Sequence, residues 1–569
     1  MTNNNYENLP KEELIKEIER LKKELKNKKK SGLVWEEKPE EVVEMCKQKL
    51  PVLKEVEEKE IITDKEKPMN LLIEGDNYHA LSVLNYTHAK KVDVIYIDPP
   101  YNTGNKDFIF NDRYVDPEDA YRHSKWLSFM EKRLKLAKNL LKDTGVIFIS
   151  IDDNEVAQLK LLMDDKNRGM FGENNFISIL KWKKKKQPSY LHGQVAGLME
   201  YILAYGKNIS KVDNLSLDTR ENINTRVDNS SNAISERIFK KGVRVKLPKD
   251  IRVIKKGLYK NKTMQTEYLS DVHIVKGRTN NEVIVRTRFR NNQEQIDEFI
   301  KEDVLFITKN YGLRRDLLPQ ELEKRKSITD LLLNWGDNQD SDKELRNLFE
   351  KKPFEYPKPV LLLKNLIKSV NFRDGVILDF MAGTGTTAHA VLELNKEDGG
   401  NRKFILCTNN ENNNGNGYKI AEDICYPRIK KVIEGYKSLK GEKVDGLSGN
   451  LKYFKTDFVD AEPTDKNKMK LTEQATEMLC IREETFELIL DKKNFKIFKN
   501  TNYYTGIIFD QIAIPAFKKA IKDIESRFRV YVFSLGDETF DDEFEDVKQK
   551  VQLSPIPEAI LRVYRRIFR

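Results

Sequence analysis

The sequence predicts an α/β fold built on a largely parallel sheet that helices cover on both faces. Short apolar runs at residues 71–73, 92–97, 145–151, 376–378 and 403–407 have the length and composition of buried strands. Between them, residues 117–142 and 155–163 carry apolar side chains at helical spacing. Strands that alternate with helices in this way are typical of a parallel sheet, which must be covered on both faces.

Length and composition indicate several soluble domains. The chain has 569 residues, of which 39% are hydrophobic and 34% are charged. A chain of this length is expected to form two to four domains, each with its own core. The formal net charge of +10 suits a polyanionic partner such as DNA, although a lysine-rich surface that serves solubility fits equally well.

Neither disulfide bonds nor a bound metal ion are expected. The four cysteines stand apart without a paired motif, and the six histidines form no cluster with the spacing of metal ligands. The N-terminus lacks the pattern of a signal peptide, and no run of 18 apolar residues could span a bilayer. We therefore expect a cytoplasmic protein that does not associate with membranes.

The patterns divide the chain into five expected segments. Residues 1–67 form a helical N-terminal segment, in which residues 11–30 read as one helix that packs on its own domain or pairs with a partner helix. Residues 68–207 and 346–444 form the two parts of the α/β domain. Residues 208–345 form an insertion, since the alternation of strands and helices stops there, and residues 445–569 form a C-terminal domain.

The insertion contains a strongly basic stretch. Residues 241–260 include eight Lys or Arg residues and one acid, and Val243, Val245 and Leu247 alternate with Arg244 and Lys246. A strand with one buried and one cationic face has this pattern, and so does a solvated edge strand. The residues that we expect to neutralise DNA phosphates are Arg244, Lys246, Arg252, Lys255 and Lys256.

A glycine turn follows the apolar run at residues 376–378. Gly383 and Gly385 lie between this strand and the start of a helix, where glycine permits a tight turn and close approach of backbone N–H groups to a ligand. The carboxyl end of a strand in an open α/β sheet is also where nucleotides bind. Any tight strand–helix turn can use such glycines. Glu411, past the next strand, is either an acceptor for ribose hydroxyls or an exposed loop acid.

A stronger signal is the tetrapeptide Asp98, Pro99, Pro100 and Tyr101, directly after the run at residues 92–97. Two prolines end the strand and stiffen the loop, and their carbonyl groups stay free to accept hydrogen bonds. A carboxylate, a carbonyl and an aromatic ring therefore converge at the end of a strand. This arrangement provides two acceptors for the hydrogens of an amino group and a flat ring for stacking a base. The alternative is a tight Pro-Pro turn with an incidental aromatic residue.

These motifs together resemble the DNA amino-methyltransferases. The tetrapeptide continues into Asn102, Thr103 and Gly104, and the glycine turn at residues 379–387 comes after it, which is the permuted order of the beta group. Residues 73–77, 356–359 and 426–435 further resemble the modification subunits of type III restriction–modification systems. The resemblance covers residues 68–207 and 345–440. The insertion occupies the slot of the target-recognition region in this family.

The resemblance implies a Rossmann-like methyltransferase sheet and S-adenosylmethionine as the cofactor. It further implies that the enzyme methylates N6 of adenine at specific sites in duplex DNA, after the target base flips out of the helix. Asp98 and the Pro100 carbonyl would hold the amine, and Tyr101 would stack on the base. The implied partners are DNA, a separate restriction subunit with helicase and nuclease activity, and a second copy of the chain. The residues implied to contact the cofactor are Asp76, Asn77, Lys358, Asp379, Phe380, Ala382, Gly383, Gly385 and Glu411.

Two alternatives remain at this stage, and one reaction is disfavoured. The chain could be a DNA-binding specificity protein with secondary activity, or it could methylate an amino group in RNA or in a protein amide. A carbon-5 cytosine enzyme would need a cysteine nucleophile after proline, and no cysteine here follows a proline. The lysines Lys183, Lys184, Lys185 and Lys186 would grip DNA phosphates, or they form a solvated face.

Overall fold

The computed structural model describes residues 35–568 except 106, 112, 189–193, 220–223, 261–263, 323–324, 351, 412–416, 537 and 539, and in the N-terminal 34 residues only Ile15, Ile18 and Glu19. The helix predicted over residues 11–30 therefore lies almost wholly outside the described residues. The chain divides into two compact units, Met1–Asp213 with Thr329–Arg569, and Asn214–Ile328. In the described part of the chain, no helix combines the length and apolar character needed to cross a membrane.

The first unit is built on one mixed sheet, which confirms the predicted α/β class. Six neighbouring strands are parallel, and antiparallel strands extend the sheet at both edges. Their spatial order is Lys49–Glu55, Asn450–Asp460, Met69–Glu74, Asn401–Thr408, Asp374–Asp379, Val92–Ile97, Leu141–Ile151, Met199–Gly206, Phe176–Lys183 and Leu331–Leu332, and Ile61–Ile62 pairs with Asn450–Asp460. The parallel strands are buried along most of their length, as sheets covered on both faces require.

Helices follow the parallel strands and bury their apolar sides in the same core. Trp126, Met130 and Leu134 lie on one face of the longest helix at helical spacing, and all three are fully buried. The helices of the first unit are Glu41–Met45, Asn77–Thr87, Arg122–Leu140, Val156–Asp164, Asn338–Phe349, Val360–Ser369, Thr386–Asp398, Tyr426–Glu434, Asp465–Glu473, Thr476–Glu483, Ile514–Ile521 and Glu558–Ile567. A π-helical turn, Ile420–Cys425, precedes Tyr426–Glu434.

The strand order brings distant motifs together at one edge of the sheet. Val92–Ile97 pairs in parallel with Asp374–Asp379, with Val94 opposite Ile377 and Ile95 opposite Leu378. Asp98 and the glycine turn therefore follow adjacent strands, and both lie at carboxyl ends. From these two strands the chain continues toward opposite edges of the sheet. The crevice between them is therefore a topological switch point, the place where open α/β sheets bind ligands.

The terminal segments differ from the domains expected for them. Lys49–Glu55, in the segment expected to be helical, is a strand that pairs antiparallel with Asn450–Asp460. Asn450–Asp460 in turn pairs in parallel with Met69–Glu74, so the main sheet continues past residue 445. Leu451, Tyr453 and Phe454 are buried there, because this strand covers the edge that Met69–Glu74 would otherwise expose.

A smaller sheet follows near the C-terminus. Its strands, in spatial order, are Glu487–Lys492, Phe495–Lys499, Tyr504–Ile508, Phe528–Phe533 and Val551–Ile556, and the helix Ile514–Ile521 packs its Phe517 into a separate apolar core. Short strand pairs elsewhere in the first unit are Ile109–Phe110 with Arg113–Tyr114 and Gly435–Lys437 with Lys443–Asp445.

The second unit, Asn214–Ile328, is mainly β-structure with its own core around Phe239, Tyr268 and Phe289. One sheet has the order Asn224–Arg226, Leu313–Asp316, Leu305–Ile307, Arg244–Val245, Arg278–Thr279, Val272–Val275 and Val253–Ile254. A second sheet has the order Ser235–Phe239, Val283–Thr287, Gln265–Tyr268 and Gly257–Lys260, and a third sheet pairs Ser216–Thr219 with Arg325–Ser327. The helices described in this unit are Gln293–Lys301 and Pro319–Leu322. Its boundaries lie within the insertion expected from the sequence.

Candidate active site

The tetrapeptide of residues 98–101 forms the turn that leaves the strand Val92–Ile97. Pro99 is buried and Pro100 is partly buried. The indole Nε1 of the fully buried Trp126 donates a 2.7 Å hydrogen bond to the Pro100 carbonyl. This bond fixes the loop against the helix Arg122–Leu140. It also occupies one lone pair of the Pro100 carbonyl oxygen, which the sequence predicts as an acceptor for a target amine.

Asp98 is part of a chain of alternating charges. The Lys358 ammonium donates to both Asp98 oxygens at 2.9 Å and lies 3.4 Å from Glu200 Oε2. Glu200 Oε1 accepts from Lys184 Nζ at 3.0 Å. The Tyr101 hydroxyl lies 2.9 Å from Asp98 Oδ1 and 3.2 Å from Glu200 Oε2. Two carboxylates and two ammonium groups thus meet at the tetrapeptide.

The environment keeps Lys358 and Glu200 in their charged forms. Burial alone would lower the pKa of Lys358, but Asp98 and Glu200 raise it above its ordinary value. Burial alone would raise the pKa of Glu200, but Lys358 and Lys184 lower it below its ordinary value. Burial, together with the two carboxylates, raises the pKa of Tyr101 well above its usual range, so Tyr101 is a neutral hydrogen-bond donor.

Two lysines therefore differ from the sequence predictions. The resemblance implied that Lys358 contacts the cofactor, and in the structure its ammonium binds Asp98 and Glu200. Lys184 was expected to grip phosphate, but it is half-buried and neutralises Glu200. Glu200 was not predicted from the sequence, although a single acid inside the apolar strand Met199–Gly206 is a usable signal, because a charge in a buried strand needs a partner.

A second buried network holds the residue after Tyr101. Asn102 is buried with a φ of +57°, and its Nδ2 donates to Glu155 Oε1 at 2.6 Å. The same oxygen lies 2.6 Å from His123 Nδ1. Burial raises the pKa of Glu155 to about 8, and burial lowers the pKa of His123. The network holds the backbone of Asn102 in its left-handed conformation.

The glycine turn is braced by Asp379. Its oxygens accept hydrogen bonds from the Met381 N–H at 3.1 Å and from the Thr387 hydroxyl at 2.5 Å, and burial raises its pKa to about 7. Gly383 and Gly385 have φ values of +48° and +75°, and Gly385 begins the helix Thr386–Asp398. The Asp379 side chain therefore holds the turn in place, and its contact with the cofactor stays a prediction.

Other expected residues of the turn differ in exposure. Phe380 is fully buried in the core and Ala382 is buried, whereas Gly383 is partly exposed. Below the turn, the buried Arg428 donates to the hydroxyls of Thr384 and Thr386 at 2.9 and 2.8 Å. Arg428 lies in residues 426–435, which carry part of the family resemblance, but its contacts with the two threonines were not predicted from the sequence. Of the expected residues in the turn, Gly383 is the least buried.

Asp76 and Asn77 follow the strand Met69–Glu74, which is separated from the strand of the glycine turn by one strand. Asp76 caps the helix Asn77–Thr87 through the Tyr78 N–H at 2.7 Å. The buried Arg133 binds Asn77 Oδ1 and lies 3.4 Å from Asp76 Oδ2, while Glu40 binds its other nitrogens. Neither Arg133 nor Glu40 was predicted from the sequence, because both are far from these residues in the chain.

Glu411 lies beyond the end of the strand Asn401–Thr408, as expected, and is exposed. Its backbone carbonyl accepts from the Ile420 N–H at 3.3 Å, which holds the start of the loop. The strand of Glu411 stands between those of Asp76 and of the glycine turn. All expected ligand residues except Lys358 thus follow three adjacent strands.

The expected phosphate-binding residues are not equivalent. Lys183 and Lys185 are half-buried, and Lys186 lies 3.4 Å from Asp337. In the second unit, Arg244 binds Asp316 at 2.5 Å, Lys246 lies 3.6 Å from the Phe306 ring centroid, and Lys255 binds Asp271 at 3.0 Å. Among the residues that the structure describes, Arg252 and Lys256 are exposed without an acidic partner for their side chains.

Comparisons with known proteins agree with this geometry. Residues 92–426, more than half of the chain, match the family described as DNA methylase. The StyLTI Mod subunit of a type III restriction–modification enzyme from Salmonella typhimurium is 35% identical over 391 residues, 64% of this chain and 57% of its own length. The type II methyltransferase M.KpnI from Klebsiella pneumoniae is 31% identical over 389 residues, 65% of this chain and 89% of its own.

The type III EcoPI Mod subunit from Escherichia phage P1 is 32% identical over 413 residues. These cover 64% of this chain and 62% of the EcoPI subunit. The chain thus spans less than two thirds of the length of both Mod subunits. The matched family region begins at the strand that leads to Asp98 and ends past the glycine turn. From this match and the arrangement of the two motifs, the chain belongs to the DNA methylase family.

Proposed function

We propose that the protein transfers a methyl group from S-adenosylmethionine to N6 of adenine in duplex DNA. The observation that carries the proposal is the position of residues 98–101. They end a strand that pairs directly with the strand of the glycine turn. An amine held at Asp98 and a cofactor held at the glycine turn would therefore face the same crevice, as a direct displacement requires.

Asp98 would orient the amine. The lone pair of adenine N6 is delocalised into the ring, so its hydrogens must be held in a geometry that frees the lone pair. One Asp98 oxygen would accept the first hydrogen. Since Trp126 already donates to the Pro100 carbonyl at 2.7 Å, the remaining lone pair of that oxygen would accept the second. Asp98 can also receive the proton that the amine loses after transfer.

Tyr101 would hold the base by stacking. Its hydroxyl is tied to Asp98 and Glu200, so its ring has a fixed orientation beside the carboxylate. A base in a duplex can reach this ring only after it leaves the helix, which costs a few kcal/mol of unstacking. Stacking on a pre-oriented ring and hydrogen bonds to the base edge would offset that cost.

The residues around the glycine turn fit S-adenosylmethionine. The left-handed Gly383 offers an accessible backbone at the start of a helix, and the exposed Glu411 carboxylate can accept two ribose hydroxyls. Asp76, held by Arg133, offers a further carboxylate at the end of the next strand beyond that of Glu411. When bound, S-adenosylmethionine supplies a methyl group on a sulfonium centre, which an oriented amine can displace. Asp379 and Phe380 would act by shaping the turn.

The second unit would choose the DNA site. It is inserted between the two motifs, has a separate core and exposes the unpaired cations Arg252 and Lys256. Similarity to the StyLTI and EcoPI Mod subunits supports a role as the modification subunit of a type III system, with a restriction subunit as its partner. A homodimer would fit the same role.

The test is to express the chain in a host without adenine methylation and to digest its DNA to nucleosides. Mass spectrometry should find N6-methyladenine, and modification-sensitive sequencing should place it at one recognition sequence. Purified protein should transfer tritiated methyl groups to that sequence and not to RNA. Absence of methylated nucleosides in DNA, despite folded protein that binds cofactor, would contradict the proposal.

A further inference from the structure

The Lys358 ammonium stands between the partly buried carboxylate of Asp98 and the buried carboxylate of Glu200. Its side chain is 8% exposed, it donates to both oxygens of Asp98 at 2.9 Å, and it lies 3.4 Å from Glu200 Oε2. It also lies 5.0 Å from the centroid of the Tyr101 ring, beside the ring on which a target base would stack. In this arrangement Lys358 competes with a target amine for Asp98.

Lys358 and Tyr101 already occupy three of the about four lone-pair sites of the Asp98 carboxylate, so a target amine gains room to bind if Lys358 releases an oxygen. Asp98 Oδ1 also accepts the Tyr101 hydroxyl at 2.9 Å, so both oxygens are engaged. An ammonium that left Asp98 inside this site would be a buried charge without a counter-ion, which is strongly unfavourable. The displacement of Lys358 therefore requires a second carboxylate within reach.

Glu200 meets this requirement. Its Oε2 is already 3.4 Å from the Lys358 nitrogen, while its Oε1 is anchored by Lys184 at 3.0 Å. The single hydrogen of the Tyr101 hydroxyl can serve only one of the two carboxylates at a time. When Lys358 moves to Glu200, that hydrogen stays with Asp98 and keeps the carboxylate oriented. No charge is created or lost, because two carboxylates and two ammonium groups remain.

We propose that Glu200 is a positioning residue that receives the Lys358 ammonium when the target amine reaches Asp98. The inference rests on the proposed function, since it assumes an amine as the incoming group. It assigns Lys358 to the control of Asp98, and Lys184 to holding Glu200 in place.

The experiment measures single-turnover transfer of tritiated methyl groups to duplex DNA by three variants. Glu200→Gln should lower the rate at least tenfold, because the ammonium then stays on Asp98, while cofactor affinity by calorimetry stays within twofold. Adding Lys358→Met to Glu200→Gln should restore at least fivefold of the lost rate, since Asp98 is then free. Glu58→Gln, an exposed acid away from the site, is the matched control and should keep the wild-type rate.

The recovery in the double variant is the decisive result, because a merely structural Glu200 would not be rescued by removing Lys358. If folded Glu200→Gln retains the wild-type rate, or if the double variant is no faster than Glu200→Gln, the inference is overturned. A loss of cofactor affinity when Lys358→Met is added to Glu200→Gln would also overturn it, by placing the ammonium at the cofactor. If the wild-type chain itself methylates no DNA, the proposed function has failed instead.

Discussion

The ammonium nitrogen of Lys358 lies 2.9 Å from each carboxylate oxygen of Asp98, although 260 residues separate the two in the chain. This ion pair joins the segment before the helix Val360–Ser369 to the loop after the strand Val92–Ile97. It ties together the two halves of the α/β domain on either side of the insertion. Asp98, which would orient the target amine, is thereby held by an ion pair with a residue of the other half of the domain.

Replacing Asp98 with Asn should reduce methyl transfer at least about 100-fold, because the amide offers only one acceptor oxygen and no negative charge to the amine. Cofactor affinity should change little, since Asp98 contacts Lys358 and Tyr101 and not the glycine turn. Tritiated-methyl transfer and calorimetry measure the two effects. Asp116→Asn, an exposed acid, is the control, and more than a tenth of wild-type activity in Asp98→Asn would refute the assigned role.

The two glycines of the turn should respond differently to a side chain. A Cβ at Gly385 would lie 3.0 Å from Cys425 Sγ, whereas one at Gly383 meets only Phe354 at 3.5 Å. Gly385→Ala should therefore lower the free energy of unfolding by about 2 kcal/mol, and Gly383→Ala by about 1 kcal/mol, since both have positive φ.

Gly383→Val should in addition weaken cofactor binding at least about tenfold, because the branched side chain would stand in the accessible part of the turn. Urea denaturation and calorimetry separate stability from affinity. Unchanged cofactor affinity in folded Gly383→Val would show that the turn has only a structural role.

In the second unit, the unpaired cations should dominate the salt dependence of DNA binding. Arg252→Gln and Lys256→Gln should each reduce the slope of log affinity against log salt by about one unit. Lys255→Gln is the matched control and should reduce it less, because Asp271 already neutralises Lys255 at 3.0 Å. Fluorescence anisotropy over a salt series measures the slopes, and equal effects at all three positions would contradict this distinction.

Glu155 should make the stability of the protein depend on pH. Burial raises its pKa from 4.5 to about 8, so between these values the folded state keeps a proton that the unfolded state has lost. The free energy of unfolding should therefore fall as the pH rises from about 5 to 8. The loss should be on the order of a few kcal/mol.

Glu155→Gln mimics the protonated form and should lack this loss, so it should become more stable than the wild type as the pH rises. Urea denaturation at pH 5 and pH 8 gives the comparison. A wild type and variant with parallel pH dependence would show that Glu155 does not titrate in this window.

Several elements could be predicted from the sequence because their signals are local. The strand Val92–Ile97 has the predicted bounds, and the other predicted strands of the main sheet differ by one to four residues at their ends. The run at residues 450–460 was assigned to a separate domain, because its apolar pattern does not reveal which edge it covers. The pairing of Asn450–Asp460 with Met69–Glu74 is a contact between distant segments.

The functional site likewise has parts that could be predicted from the sequence and parts that could not. The tetrapeptide of residues 98–101 and the turn with Gly383 could be located from the sequence, since prolines and glycines act on the backbone next to them. The partners of these residues could not be located. Trp126, Glu200 and Arg428 bind the two motifs across 26 residues or more, and their roles depend on the packing of whole helices and strands.

The sequence by itself determined the α/β class, the two motifs and their order, because backbone conformation and hydrophobic periodicity are set by neighbouring residues. Only the tertiary structure decided which charged side chains pair with each other. Lys184 and Lys358 are indistinguishable from solvated lysines in the chain, but burial beside Glu200 and Asp98 makes them counter-ions of the active site. A buried charge is stable only beside its opposite, and which opposite it meets depends on the order of strands in the sheet.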